Sequence, residues 1–337
     1  MTIQSEIDRI NTNIENAYTV CNNKGATMPQ TQNSENLADC IDSITVTANN
    51  DIPRVIVNGI YQIPTLGSSN FALPSSANDL GDNVLGCAYS GSQTLVSVDL
   101  SNLTSISGAN SLYRTFKDCP NLTSVDLSNL TTVSGNSALY MAFSDCPKLT
   151  TVKLNNLVTI SGESALTYFF RYCTGLTTVD LSGVTSITKT NALQGTFMGC
   201  TNLTSVNFNS LQQIGLNTIA GSYAQFTTAF AGCDKLTSVS FPNLEKIYCT
   251  GSATASRGTF YNCAKVQKFY FPKLDTITYG SNATATNRYS YKYIFSNCSE
   301  LEEIHFGSAN QSAIESNDGY STLWGRGAGN ATVYFDL

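Results

Sequence analysis

Seven phenylalanines, Phe116, Phe143, Phe170, Phe197, Phe230, Phe260 and Phe295, are each followed three residues later by a cysteine, and the first four recur every 27 residues. No other feature limits the fold as strongly, because a repeated unit must place its apolar positions alike each time. The unit reads F-x-x-C-x-x-L-x-x-V-x-L-x-x-L-x-x-I, as in Phe143, Cys146, Leu149, Val152, Leu154, Leu157 and Ile160. An eighth copy without its Phe-Cys part comes first, at Leu95, Val98, Leu100, Leu103 and Ile106. The V-x-L pair alternates with the period of a strand, while Leu139, Phe143 and Cys146 fall at helical spacing. Each unit thus predicts one short strand and one short helical turn. A single unit cannot bury its apolar face, but stacked units can, as a parallel ladder with a rise of about 4.8 Å per coil.

Of eleven cysteines, Cys119, Cys146, Cys173, Cys200, Cys233, Cys263 and Cys298 occupy one repeat position. That position reads as a small buried residue with a weak S–H donor, in preference to a disulfide or metal framework. Only 12% of the residues are charged and the net charge is -6, so no basic field exists to gather phosphates or an anionic membrane. No apolar run reaches the roughly 18 residues of a membrane span. The single histidine, His305, stands beside Glu302 and Glu303 and is the one imidazole available for acid-base chemistry. Phosphate-binding loops and HExxH helices do not occur in the sequence. The expectation is a protein without catalytic residues, metal or cofactor.

Over residues 95–306 the unit resembles the BspA-like class of leucine-rich repeats, found on bacterial surface adhesins and some phage tail proteins. The resemblance implies a repeat solenoid with one parallel β-sheet and short helical turns. Phe208, Phe241 and Phe271 at strand Leu positions, and Val266 at the leading Leu, depart from the pattern as adjustments of core volume.

The spacing between units changes along the chain. Ile106 to Phe116, Val133 to Phe143, Ile160 to Phe170 and Ile187 to Phe197 are equal intervals, and the gap then lengthens at Ile214 to Phe230, Ile247 to Phe260 and Ile277 to Phe295. Insertions in a solenoid map to one face. The last one, TYGSNATATNRYSYKY, sets Tyr279, Tyr289 and Tyr293 among small polar residues, the composition of recognition loops. Tyr223 in the first insertion and Tyr248 and Arg257 in the second continue the pattern, and all six are candidate ligand contacts. Phe226 and Tyr291, four residues before a repeat Phe, suit the core slot that Leu139 fills elsewhere. On the outward side of the strands run Ser97, Asp99 and Ser101 and their counterparts, ending in Lys268, Tyr270, Glu303 and His305. That row suits a sugar chain or a plain solvated sheet face, with Tyr270 a further candidate contact. Asp99, Asp126 and Asp180 line up as a possible cation row, which Lys153 interrupts.

Both flanks differ from the repeats. Residues 46–94 read as an N-terminal cap with a strand-like run RVIVNGIY, and residues 307–337 as a C-terminal cap closing on the strand ATVYFDL. Within residues 1–45, Ile3, Ile7, Ile10, Ile14 and Ala17 form a heptad seam; isoleucine at both core positions shifts preference from dimers to trimers or tetramers, the trimer favoured, with an amphipathic helix folded onto the cap as the alternative. The IQSEIDRI helix, KGATMPQ and NLADCIDSI of this helical segment look like the opening of tail-fibre and minor tail proteins of phages and prophages of Gram-positive gut bacteria. The polar start MTIQSEIDRI lacks the apolar core of a signal peptide. These readings together imply a virion adhesin that meets a host cell-surface glycan or protein. Its residues 1–45 would join other tail proteins. A decoration protein of the virion and a bacterial surface adhesin are the alternatives.

Overall fold

The computed structural model describes residues 69–73, 77–215, 226–248, 259–278, 294–316 and 331–337, together with the backbone of strands β1 (Val55–Val57) and β2 (Ile60–Gln62). Residues 1–50, with the heptad seam expected at Ile3, Ile7, Ile10, Ile14 and Ala17, lie outside the described residues. The chain divides into two units, Met1–Asn50 and Asp51–Leu337, and everything that follows concerns the second. Strands β1 and β2 pair antiparallel in a sheet of their own.

The V-x-L segments form the expected parallel ladder. Its strands are β3 (Asn70–Ala72), β4 (Ser97–Asp99), β6 (Ser124–Asp126), β8 (Thr151–Lys153), β10 (Thr178–Asp180), β12 (Ser205–Asn207), β14 (Ser238–Ser240), β16 (Lys268–Phe271), β18 (Glu303–Phe306) and β19 (Thr332–Phe335). Hydrogen-bonded pairing runs β3 to β8, β10 to β12 and β14 to β19. A second ladder, formed where each unit ends on x-I, is unbroken and carries the stack across those gaps. It consists of β5 (Ser105–Ile106), β7 (Thr132–Val133), β9 (Thr159–Ile160), β11 (Ser186–Ile187), β13 (Gln213–Ile214), β15 (Lys246–Tyr248) and β17 (Thr276–Thr278). Equivalent residues pair in register, such as Val98 with Val125 and Ile187 with Ile214, so each repeat position becomes a column. The ladder starts one coil before the repeat pattern, at Phe71 on β3.

The columns make the core. Phe116 stacks on Phe143 at 5.2 Å, Phe143 on Phe170 at 6.2 Å and Phe170 on Phe197 at 6.1 Å, all buried. Phe226 is fully buried, as its place in the Leu139 slot requires, and bridges Phe230 and Phe260 at 6.3 and 5.8 Å. In the later coils a second aromatic column replaces leucine, through Phe208, Phe241, Phe271, Phe306 and Phe335. The seven repeat cysteines are free and buried. The thiols of Cys146, Cys173, Cys200 and Cys233 donate to the carbonyls of Phe116, Phe143, Phe170 and Phe197 one coil back, at 3.0 to 3.2 Å. Burial pushes the Cys200 thiol up to about 12, which keeps it protonated and able to donate. At the coil corners Asn102, Asn129 and Asn156 give their side-chain amides to Leu73, Ser101 and Ser128 carbonyls at 3.0, 2.8 and 2.7 Å.

The segment expected as a short helical turn is built differently. Between Ala109 and Cys119 the N–H groups of Asn110, Leu112, Arg114, Phe116 and Asp118 donate to the next coil at 2.8 to 2.9 Å, and those of Tyr113, Thr115 and Lys117 reach back three residues. Asn110, Arg114 and Asp118 are left-handed, with φ of 53°, 53° and 59°. The result is a run of stacked turns in which two residues point in and two point out. Leu112, Phe116 and Cys119 are buried, whereas Tyr113, Arg114 and Lys117 are half-buried. A period of four imitates the helical period of 3.6 over so short a stretch.

Candidate functional site

Three surfaces remain outside the core. The first is the outward side of the strand ladder. Asp99, Asp126 and Asp180 accept the N–H groups of Ser101, Ser128 and Ser182 at 2.9, 3.0 and 2.9 Å, so each carboxylate closes the turn after its own strand. Asp99 and Asp126 are paired in register, and Lys153 in the next strand reaches Asp126 at 2.5 Å. Among the described residues no three His, Cys, Asp or Glu side chains are grouped to hold a metal ion.

At the C-terminal end this face becomes aromatic and charged. Register pairs Tyr270 of β16 with His305 of β18 and His305 with Tyr334 of β19. The imidazole lies between the two phenol rings at 4.9 and 4.8 Å, nearly parallel to both. Its Nδ1 meets Asp336 at 2.9 Å and its Nε2 meets Glu303 at 3.0 Å, and Lys268 pairs with Glu303 at 2.7 Å. Through Asp336 and Tyr334 these contacts tie His305 to the last strand.

Burial would lower the His305 pKa, but the hydrogen bonds to Glu303 and Asp336 prevail and hold it above 6.5. A raised histidine stabilises the fold fully below its unfolded pKa and loses that contribution as pH rises through the folded pKa. Lys268 and His305 hold Glu303 below its ordinary value, so its contribution is lost only in acid, as pH falls through the lowered folded pKa. The last strand is therefore expected to be held most firmly between these two transitions. Because the chain has one histidine, its ring proton resonance reports the upper one. The expected titration midpoint lies above 6.5, with hydrogen-exchange protection of β19 falling on the alkaline side. A midpoint at or below 6.5 contradicts the network.

The second surface is the edge from which the insertions leave. Their described ends are Gly215 and Phe226, Tyr248 and Thr259, and Thr278 and Ile294. Each insertion begins at the second ladder, where β13, β15 and β17 are in register, and ends at a phenylalanine of the buried column. All three emerge at the same edge. Tyr248 is half-buried at the end of β15, with its carbonyl and Cβ against Gly215. Tyr270 is on the strand-ladder face and not on this edge. Tyr223, Arg257, Tyr279, Tyr289 and Tyr293, with Tyr291, lie outside the described residues.

The third surface, along the stacked turns, was not singled out from sequence. Tyr113 stacks on Tyr140 at 5.1 Å, and Tyr168 meets Tyr140 edge-on at 6.1 Å. Arg114 lies over Tyr113 at 5.0 Å, and Arg171 lies over Tyr172 at 4.5 Å and Tyr168 at 5.8 Å. The signal available was tyrosine recurring near the unit length with arginine beside it.

The BspA type leucine-rich repeat region model matches residues 65–188, 113–225 and 167–318. Comparison with curated proteins finds no match. Among solved structures the chain is similar to a leucine-rich repeat protein from Bacteroides ovatus, at 15% identity over 86% of this chain and 99% of that one, with a TM-score of 0.28. It is also similar to the T. pallidum leucine-rich repeat protein, at 19% identity over 56% and 90%, TM-score 0.32. Internalin C2 from Listeria monocytogenes aligns at 17% identity over 71% and 81%, TM-score 0.27. With its family model covering residues 65–318 and its columns of buried leucine, phenylalanine and cysteine in register, the chain belongs to the BspA-type leucine-rich repeat proteins, a scaffold suited to interaction and adhesion.

Proposed function

We propose that this chain is a non-catalytic adhesin of a phage tail, whose solenoid binds host cell-surface polymers through its C-terminal half. The observation that carries the reading is that the described ends of three insertions lie at one edge of an otherwise regular stack. A scaffold that keeps its register while its loops grow on one side spends sequence on that side alone. The tyrosines of those insertions offer large contact area at low rotamer entropy. Tyr279, Tyr289 and Tyr293 carry the largest share of contact, with Tyr223, Tyr248 and Arg257 beside them. Residues 1–45 dock to other tail proteins and bring three chains together through Ile3, Ile7, Ile10, Ile14 and Ala17, so that avidity compensates weak single contacts. The virion is the location this reading requires.

The test is adsorption of the fluorescently labelled full chain to whole Gram-positive gut bacteria. Replacing Tyr279, Tyr289 and Tyr293 together by alanine is expected to reduce adsorption at least about tenfold, the scale of a lost hot spot, with the melting temperature unchanged. Adsorption equal to that of the unmodified chain overturns the assignment.

A further inference from the structure

The stacked-turn surface of the N-terminal half carries aromatic and guanidinium side chains that stay outside the core. Tyr168 and Tyr172 are left-handed, with φ of 55° and 57°, and Arg114 with φ of 53°. A bulky side chain is disfavoured in that conformation, and the next coil uses glycine at the positions equivalent to both tyrosines. Gly195 and Gly199 there are required by the rings themselves, since a Cβ would come within 2.3 Å of Tyr168 and 2.0 Å of Tyr172. The neighbouring coil has thus made room for two tyrosines that remain half-buried or exposed and add nothing to the core.

What the rings hold is guanidinium. Arg171 lies over Tyr168 and Tyr172, and Arg114 over Tyr113 beside Tyr140. Among the described residues neither arginine has a carboxylate within the 4.0 Å of an ion pair. Lys117 nearby differs, being paired with Asp118 and Asp145. The Nε of Arg114 is buried and has no hydrogen-bond partner. In a chain of net charge -6, two uncompensated, pre-positioned guanidinium groups are a local site for anions.

The kind of anion follows from what the surface lacks. The backbone N–H groups of Arg114, Phe116, Tyr168, Phe170 and Tyr172 are all spent on the next coil, so no strand edge is open for peptide addition. The faces of Tyr113, Tyr168 and Tyr172 are engaged by arginine, by neighbouring rings or by the glycine coil, so they are not open to receive the apolar face of a helix. Guanidinium forks remain, with the phenol hydroxyls of Tyr113, Tyr168 and Tyr172, while Tyr140 is hydrogen-bonded to Arg114. We infer that Tyr113, Arg114, Tyr140, Tyr168, Arg171 and Tyr172 form a binding strip for an acidic polysaccharide, whose carboxylates take the arginines and whose hydroxyls take the phenols. Arg114 and Arg171 sit two coils apart, about 10 Å along the stack, so successive acidic groups of one chain are what the strip reads.

The strip is independent of the insertions, and its test leaves their residues untouched. The full chain is run by affinity electrophoresis in gels containing polygalacturonate, dextran or poly-glutamate. Polygalacturonate is expected to retard it, more weakly as salt rises, while dextran does not. The double variant Arg114→Gln and Arg171→Gln should bind polygalacturonate at least about tenfold more weakly, the scale of lost charge-assisted hydrogen bonds. Arg171→Lys, which keeps the charge and loses the fork, should fall between, with all melting temperatures alike. Failure of polygalacturonate to retard the unmodified chain overturns the strip, as does unchanged retardation of the double variant. Equal retardation by poly-glutamate overturns the polysaccharide assignment in favour of an acidic peptide.

Discussion

Phe143→Ala is expected to lower the unfolding free energy by about 3–5 kcal/mol. Phe143 has no exposed surface and contacts three rings, Phe116 at 5.2 Å, Phe169 at 5.4 Å and Phe170 at 6.2 Å. Removing the ring loses its transfer energy and leaves a cavity that collapses poorly, because the coils on both sides are pinned by backbone pairing at Val125 with Val152 and at Val133 with Ile160. The defect lies mid-stack, so it also weakens the coupling of one coil to the next, on which a solenoid's stability depends. Urea unfolding followed by circular dichroism measures it. Val96→Ala, at a side chain 37% exposed, serves as the control and should stay within about 0.5 kcal/mol. A Phe143→Ala loss no larger than the control's contradicts the column as the source of cohesion.

The repeat is legible because every coil solves the same burial problem with the same residues. Phe116 to Phe295, Cys119 to Cys298 and the V-x-L strands declare their inward direction by recurrence alone, and Phe208, Phe241 and Phe271 keep the column while changing its volume. The turn run is harder to read. Its inward residues at Leu139, Phe143 and Cys146 are spaced four and three apart, which is also how a helix spaces one face. What separates the two is backbone handedness at Asn110, Arg114, Met141 and Tyr168, and arginine, methionine and tyrosine give no compositional hint of φ above zero. Candidate site residues are legible only where composition changes, as in the Tyr-rich insertions. The Tyr113–Tyr140–Tyr168 strip hides inside regular coils, where each ring looks like one more partly exposed repeat residue. The His305 network is invisible until ATVYFDL is placed in parallel register beside EIHF, which brings Tyr334 and Asp336 to the ring.

Gly135→Ala is expected to cost about 3 kcal/mol or more through a mechanism opposite to that of Phe143→Ala, since it adds volume where none exists. A Cβ on Gly135 would lie 1.9 Å from the carbonyl oxygen of Gly108 and 2.5 Å from its carbon. Both are backbone atoms, so no side chain can turn aside. A Cβ on Gly162 would lie 2.1 Å from the Gly135 oxygen in the same way, and the three glycines mark the corner where three successive coils leave the second ladder for the turn run. Separating the coils there would stretch the bonds from the N–H groups of Ser134 and Gly135 to the Ile106 carbonyl, now 3.0 and 3.1 Å. Register pins the chain just before the corner, at Ile106 with Val133, and the turn ladder pins it just after, at Leu112 with Ala138. The strain therefore cannot spread sideways and acts along the stack, prying the coils before Gly135 from those after it. Urea unfolding should show the loss, and hydrogen exchange should show lowered protection in the coils preceding Gly135 ahead of those following it. Gly86→Ala makes the comparison, because its Cβ would meet nothing closer than 3.8 Å, and a compatible glycine replaced by alanine gains about 0.4–1 kcal/mol. Equal stability of the two variants would mean that the coils slide apart at this corner at no cost, and that backbone contact between glycines does not set their spacing.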